Sequence, residues 1–342
     1  MFALPGFQLT NKHLPDGTSE KQHMILESNL NEDTNMFKAL IDRDYISFRY
    51  LVDSFGLGIE SECKSIYSRI CQARKSAFAL VNCPSSKDFR NSADPSFIDK
   101  KGSVKPEYIA DGGNLDKDPI FTFSLPTELN GASWGAWFYP FVKVRDIGGS
   151  VIVPPAAYVS NNFMEKYAAG NAWDICAGQR RGVISGVIGT EVNITKNDRD
   201  YFETIGINSI VWTAGVGPVI YANKTAKQNP MSGLSAIHIR ECCIYIQDAV
   251  EKILGNYIFE KNNAQTRLEI KTLVDNVLEN IKNNGGIYDY ATICDTSNNT
   301  AEIIDRNIGI IDIYIEPQRG LEKVVQRLTI LRTGAISANA FA

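Results

Sequence analysis

Few residues in this chain have the types and spacing that catalysis requires. The sequence contains three histidines, His13, His23 and His238. His238 falls at the start of an amphipathic helix, where a structural histidine with satisfied hydrogen bonds is expected. Carboxylate pairs such as Asp198 with Asp200 lie in polar segments and are best interpreted as solvated. No G-x-S-x-G, P-loop or H-E-x-x-H pattern is present. We therefore predict that the chain is not an enzyme, although a carboxylate dyad assembled from distant positions stays open.

The cysteines do not form a pattern that binds metal or builds disulfides. Seven are present, an odd number, and no pair has the C-x-x-C spacing of a zinc or redox site. With three histidines in the sequence, no zinc-binding set can be assembled. We expect reduced thiols that are mostly buried as small apolar side chains, and neither a metal nor another cofactor.

One turn has the composition of a phosphate-binding loop. Gly56 and Gly58 form a G-x-G between a predicted strand and a predicted helix, where a dinucleotide-binding loop places its glycines. The third glycine of that loop is missing, and residues 81–84, after the next strand, include no acidic residue. Two interpretations follow: a tight turn without a ligand or, as an alternative function, a cytosolic α/β enzyme that binds a nucleotide or phosphate at Gly56 and Gly58.

Length and composition limit the class of protein. With 342 residues, the chain can hold two or more domains and a substantial core. The charged fraction is 22% and the net charge is −4, so nucleic acid is not the expected partner. No apolar stretch approaches the roughly 18 residues of a membrane span, and residues 1–17 lack the pattern of a secretion signal. We expect a protein kept in the cytosol, without membrane insertion.

The first elements that would position these residues form a βαβ unit. Alternating apolar residues predict a strand over residues 45–52, helical spacing follows from residue 59, and a compact apolar run occupies residues 77–81. Strand, helix and strand in this order predict two parallel strands. Further along, the aromatic run over residues 134–144 is typical of a core strand.

Two helices and a strand dominate the carboxyl-terminal half. Apolar faces at helical spacing predict helices over residues 234–254 and 263–282, with Asn263 as the amino-terminal cap of the second. Residues 287–294 then have the pattern of a strand. These elements predict a sheet backed by two helices.

Two further strands are predicted near the end of the chain. Residues 303–315 are rich in β-branched side chains, and Ile311, Ile313 and Ile315 alternate with polar or exposed residues. Residues 324–331 carry apolar side chains on both faces, which indicates a strand that is covered on both sides. A strand so close to the end of the sequence can pair with its own sheet or with the open edge of a neighbour's.

Together these elements predict a mixed α/β (α+β) fold. A core sheet that contains the βαβ unit is flanked by helices, and the last strand is available to extend a sheet of another subunit. We divide the chain into an irregular segment (residues 1–38), a first part of the core (39–147) and a carboxyl-terminal domain (148–342). The second boundary is placed where glycines and Pro154-Pro155 interrupt the pattern.

Six separated stretches share the order and spacing of motifs in one known family. They are Val153-Pro154-Pro155-Ala156-Ala157-Tyr158-Val159, then Trp173 with Ala177-Gly178 and Arg181-Gly182, then Ile205-Gly206-Ile207-Asn208-Ser209-Ile210, Asn223-Lys224-Thr225-Ala226 and Ile237-His238-Ile239-Arg240, and finally residues 308–330. They resemble the V-P-P-S-A-x-V, W-x-x-x-A-G-x-x-R-G, L-G-I-N-P-I, G-N-K-T, I-N-V-R and V-x-V-x-P…I-x-x-x-I elements of bacteriophage contractile tail sheath proteins.

The resemblance implies a structural and mechanical function. Sheath subunits stack as rings around a tail tube, add extended terminal segments to the sheets of neighbouring subunits, and contract as rigid bodies. The implied partners are further copies of the chain, the tail tube protein, and the baseplate and tail terminator proteins. The implied location is the phage virion, after assembly in the host bacterial cytoplasm. We favour a phage tail over a type VI secretion or extracellular injection sheath, whose proteins share this core.

The chain departs from the family pattern in three respects. His238 stands where asparagine is commoner, and Ser209 where proline is commoner. The sequence is also short for a phage sheath subunit. A fragment that holds the conserved portion and a compact or split sheath protein are both open.

The resemblance also assigns roles to the closing strands. The residues expected in the inter-subunit strand are Val324, Val325, Arg327, Leu328, Ile330 and Leu331. We expect this strand to dock on the sheet edge that carries Ile311, Ile313 and Ile315. Lys323, Arg327 and Arg332 are candidates for charge contacts with an acidic patch of a neighbouring subunit or the tube, and a solvated strand face is the other interpretation.

Overall fold

Three sheets and the helices that cover them make up the described part of the chain. The structure, a computed structural model, describes residues 35–53, 61–83, 132–204, 206–227 and 232–322. The strands are β1 (Tyr50–Val52), β2 (Phe78–Asn82), β3 (Gly135–Tyr139), β4 (Val142–Asp146), β5 (Gly149–Val153), β6 (Val187–Thr190), β7 (Ile207–Thr213), β8 (Gly217–Ile220), β9 (Ile287–Ile293) and β10 (Asp312–Pro317). The α-helices are α1 (Asn35–Ile41), α2 (Ser61–Arg74), α3 (Ala156–Ala168), α4 (Gly178–Arg181), α5 (Lys196–Thr204), α6 (Ile237–Gly255), α7 (Ala264–Asn283) and α8 (Ala301–Asp305).

The largest sheet has the strand order β1-β2-β3-β7-β8. Its first four strands are parallel, and β8 returns antiparallel to β7. The strands β1 and β2 are joined through α2 and pair in parallel, with Tyr50 opposite Phe78. This arrangement confirms the predicted βαβ unit. The helices α2 and α3 both pack on this part of the sheet.

The centre of this sheet is fully buried. All residues of β2 and β3 are buried, and Trp137 and Phe138 are among the largest side chains with almost no exposed surface. The aromatic run predicted as one strand is divided into β3 and β4. Pro140 lies between them and cannot donate a backbone hydrogen bond to a sheet.

A smaller antiparallel sheet has the order β5-β4-β6. Its β4–β5 hairpin pairs Val142 with Val153 and turns at residues 147–148. The hairpin thus crosses the boundary predicted near residue 148, and the largest sheet takes strands from both sides of that position. The division into segments stays a prediction.

The carboxyl-terminal elements build a second apolar cluster. The hairpin of β9 and β10 packs on α6 and α7, which run over the residues predicted as helices, and together they confirm the predicted sheet backed by helices. Asn263 caps α7, since its side-chain oxygen accepts a hydrogen bond from the Thr266 amide at 2.8 Å. The buried side chains of this cluster include Trp173, Cys242, Ile246, Val274, Leu278 and Ile281.

The strand predicted over residues 303–315 is wrong in its first half. Residues 301–305 form α8, and the strand begins at Asp312. Asn307 adopts a left-handed backbone (φ 59°) just after the helix. The side chain of Asn299 then holds the Ile310 backbone with bonds of 2.7 and 2.8 Å. These local hydrogen bonds override the strand preference of the β-branched Ile303 and Ile304.

Candidate inter-subunit docking site

The β9–β10 hairpin forms a sheet of its own. The strands pair antiparallel, with Ile313 opposite Thr292 and Ile315 opposite Tyr290. Among the described residues no third strand joins this sheet, so the outer edge of each strand presents backbone donors and acceptors without a strand partner. Such edges can receive an additional strand.

An apolar groove lies beside β10. It has a volume of about 520 Å³, and we call it the docking groove. Its apolar lining residues are Ile311, Ile313 and Ile315 from the end of the hairpin, and Cys243, Ile246, Val250 and Leu254 from α6. None of its described lining residues comes from β9 or α7, so the groove lies toward the outer edge of β10.

Charged side chains surround the docking groove. Arg43 pairs with Asp248 at 2.9 Å and with Glu251, and both acidic residues lie on α6. Lys75 also lines the groove and is solvent-exposed. The groove therefore combines an apolar floor with a polar rim, as is typical of surfaces that bind a peptide segment.

The three isoleucines predicted to receive the incoming strand lie on one face of β10 or directly before it. Ile313 and Ile315 lie on β10, and Ile311 directly precedes it; all three are half-buried against the carboxyl-terminal cluster. Tyr314, between them, points to the opposite side and is exposed. The alternation read from the sequence is confirmed, while the role of this face in docking stays a prediction.

The other predicted site residues lie outside the described residues. These are Val324, Val325, Arg327, Leu328, Ile330 and Leu331 of the predicted strand, with Lys323 and Arg332 beside them, and Gly56 and Gly58 of the turn considered for phosphate. The exchanged strand and the alternative nucleotide site both stay untested predictions.

Sequence reasoning did not find the wall of the docking groove. The sequence predicts an apolar face on the helix over residues 234–254, and Ile246, Val250 and Leu254 lie on it, but that face is wider than the β9–β10 hairpin covers. The feature of the sequence that could have indicated the groove is the width of the apolar face of α6, which is greater than one two-stranded hairpin can cover. Arg43 and Lys75 also line the groove, but they lie far from α6 and β10 in the sequence. No local sequence pattern indicates that they meet these elements.

The described cysteines are not set up for nucleophilic chemistry. Burial raises the pKa of the Cys176 thiol to about 11, and burial with the neighbouring Cys243 raises that of Cys242 to about 12. Both thiols are therefore protonated at neutral pH. In the described ranges no group of three or more His, Cys, Asp or Glu side chains is placed to hold a metal ion. No described helix is long and apolar enough to cross a membrane.

Two buried asparagines, Asn208 inside a family-like motif and Asn162 outside those motifs, hold neighbouring segments in place. Asn208 is fully buried on β7, donates to the carbonyl of Trp137 at 3.0 Å, and exchanges two hydrogen bonds of 2.8 Å with the backbone of Lys224. Asn162 on α3 donates to the carbonyls of Arg181 and Val183 at 3.1 and 2.8 Å. These hydrogen bonds therefore fix the segments around Arg181 and Lys224.

The fold and the hairpin define a class of protein: a mixed α/β body that carries, in the described part of the chain, a separate two-stranded sheet after its two long helices. Residues 232–330 match the family model of the phage tail sheath C-terminal domain. This part of the chain is therefore similar in sequence to the sheath domain, in agreement with the resemblance found in the sequence motifs.

Two curated relatives extend this result. The chain is 34% identical over 163 residues to the tail sheath protein of Vibrio phage KVP40, which covers 48% of this chain and 24% of the relative. It is 32% identical over 197 residues to the tail sheath protein of Enterobacteria phage T4, which covers 58% of this chain and 29% of the relative. The chain thus spans about a quarter of the length of the curated relatives that it matches.

A solved structure shares the fold. The PVC sheath complex of an extracellular contractile injection system, in its contracted state, contains a chain with a TM-score of 0.66 at 15% identity. The similarity covers 88% of this chain and 74% of that one. It confirms the predicted mixed α/β fold.

Proposed function

We propose that the chain is a structural subunit of a contractile tail sheath. In this function, copies polymerise around a tail tube and contract to drive the tube through the host envelope. The proposal is supported by the sheath-domain match over residues 232–330 and by the relatives from phages. The subunit would reside in the tail of the virion, after assembly in the host bacterial cytoplasm.

The observation that carries the proposal is the open edge of β10 beside the docking groove. A strand from a neighbouring copy can extend the β9–β10 hairpin through backbone hydrogen bonds. Its alternating side chains would then cover Ile313 and Ile315 and enter the groove. The segment we assign to this strand has Val324, Gln326, Leu328 and Ile330 on one side, so three of the four side chains on that side are apolar.

Strand exchange suits a polymer that must rearrange without falling apart. Each backbone hydrogen bond contributes about 0.5–1.5 kcal/mol net, and several of them act together along a strand. Contacts between rigid bodies can then change during contraction while the strands stay paired. The remaining partners, the tube, baseplate and tail terminator proteins, would contact other surfaces.

Deletion of residues 324–342 tests the proposal. We expect the full chain to form sheath-like tubes or rings as its concentration rises, and the deletion variant to stay unassembled because it cannot supply the strand. Negative-stain electron microscopy over a range of protein and salt concentrations is the measurement. Regular tubes formed by the deletion variant would refute the strand assignment.

A further inference from the structure

The chain that follows β10 crosses the surface of the body as a strap. We define the strap as residues 318–322, which lie between β10 and the predicted exchanged strand. A side-chain Cβ atom at Gly320 would lie 2.4 Å from the Cδ1 atom of Ile175 and 3.8 Å from Cε1 of His238. The centre of the strap therefore lies directly against the body, and a larger residue there would require the end of the Ile175 side chain to move.

His238 holds the first half of the strap. Its ring is buried, with Nε2 placed 3.1 Å from the carbonyl oxygen of Gln318 and Nδ1 placed 2.6 Å from the side-chain nitrogen of Asn223. Because a carbonyl oxygen can only accept, Nε2 carries the proton. Nδ1 then accepts from the Asn223 amide, so both contacts are satisfied by a neutral imidazole.

Lys224 holds the other end of the strap. Its Nζ atom donates to both carboxylate oxygens of Glu322 at 2.8 and 2.9 Å, and it lies 3.4 Å from Glu203. The backbone of Lys224 is itself fixed by the buried Asn208. Both holding points thus belong to one rigid corner of the body.

We infer that His238 and Lys224 form a latch that directs the following segment away from β10 of its own subunit and toward a neighbour. This inference rests on the proposed function. Five residues are long enough to serve as a hairpin loop, and a loose strap would let the segment fold back on its own β10 edge. The latch fixes the strap to the body at Gln318 and Glu322, so the strap cannot turn back freely as a loop.

Charge near His238 makes the latch sensitive to pH. Burial lowers the pKa of His238 below its ordinary value of 6.5, the backbone of Gln318 raises it, Lys166 from α3 lowers it, and Glu322 and Glu241 raise it. The net direction is downward. A released His238 would recover its ordinary pKa, so release takes up a proton. The latch is therefore fully held above about pH 6.5 and weakens as the pH falls below that value.

Hydrogen exchange of the full, unassembled chain tests the latch. We expect the protection of the strap amides to fall as the pH drops from 7.5 to 5.5, after correction for the intrinsic exchange rate. His238→Asn should remove this pH dependence because asparagine does not titrate. Lys224→Met should reduce protection about fivefold at every pH, the scale of one exposed ion pair. The control His13→Gln/His23→Gln should keep the wild-type pH profile.

Two results would overturn the inference: an unchanged pH profile in His238→Asn, or unchanged strap protection in Lys224→Met. Unchanged protection of the β2 amides verifies that each variant is folded. A concentration series completes the test, since Lys224→Met should need about fivefold more protein to assemble. A chain that is latched but never assembles would contradict the proposed function and leave the latch itself intact.

Discussion

The central sheet and the β9–β10 hairpin differ in how far their strands are buried and paired by described residues of the chain. Every residue of β2 and β3 is buried, and neighbours within the chain flank both strands. In the hairpin, Tyr288 is 73% exposed and Tyr314 is 58% exposed, and the sheet stops at two strands among the described residues. Among the described residues the central strands are paired and covered by the chain's own contacts, whereas the hairpin is not, and this is why we propose that a strand from another copy completes it.

The helix α6 joins the two regions. Its first turns carry Ile237 and Ile244 into the cluster around the central sheet, and Cys242, Ile246 and Val250 pack in the cluster under the hairpin. A buried ion pair between Lys166 on α3 and Glu241 on α6 fastens this joint. The hairpin is therefore fastened to the body through α6, although no described strand pairs with its outer edges.

Breaking the buried ion pair should give the largest effect on the body. Lys166→Met leaves the carboxylate of Glu241 buried without its cation, so we expect the free energy of unfolding to fall by about 3–5 kcal/mol. Chemical denaturation is the measurement. The matched control Glu165→Gln, an exposed neighbour on the same helix, should change it by less than about 0.5 kcal/mol.

A double variant sharpens that result. Lys166→Met/Glu241→Met replaces the pair by apolar side chains and should recover most of the lost free energy, because no charge remains buried. If the single variant were as stable as the wild type, the pair would not contribute to fastening α6.

A charge on the docking face should separate assembly from stability. Ile313→Asp removes apolar contact with the incoming strand, so we expect the concentration needed for assembly to rise about 10- to 100-fold, the equivalent of burying one such side chain. The unfolding free energy should fall much less than in Lys166→Met, since Ile313 is half-buried. Light scattering against concentration is the measurement.

The matched control for this variant is Tyr314→Asp. It adds the same charge one residue away, on the exposed face of β10. Assembly within about threefold of the wild type is expected. Equal losses in the two variants would show that charge on the strand matters and that the docking groove does not.

Charge reversal in the segment that follows the hairpin should have the smallest effect on assembly. Lys323→Glu/Arg327→Glu/Arg332→Glu reverses three cations, and an exposed ion pair contributes up to about 1 kcal/mol. We expect assembly to weaken several-fold at low salt and to change little at high salt because of screening. Sedimentation at two salt concentrations measures it, and identical assembly of variant and wild type at low salt would favour the solvated strand face.

Local patterns in the sequence predicted the parts of the fold that local contacts determine. The alternation of Ile311, Ile313 and Ile315 predicted the buried face of β10, and Asn263 was correctly identified as a helix cap. Ile303 and Ile304 misled the same reasoning, because the left-handed Asn307 and the Asn299 side chain shape that stretch into a helix and a turn. Such hydrogen bonds leave little trace in residue preferences.

The candidate site was predictable only in part, since its two halves come from distant positions. The wall formed by Ile311, Ile313 and Ile315 was predicted from the alternating pattern of the strand. The rim residues Arg43 and Lys75 lie more than 200 residues away from β10 along the chain. The latch is similar, because Asn223, His238 and Gln318 meet only after the chain has folded. Sequence motifs marked Asn223 and His238 without revealing that they contact the strap.

Mixing two assembly-defective variants tests strand exchange most directly. The variant without residues 324–342 keeps the docking groove, and Ile313→Asp keeps the strand but has a damaged groove. At a concentration where each alone is monomeric by sedimentation velocity, the account predicts that the mixture forms a one-to-one complex, with the strand of one copy on the β10 edge of the other. Two monomers that ignore each other in the mixture would contradict it.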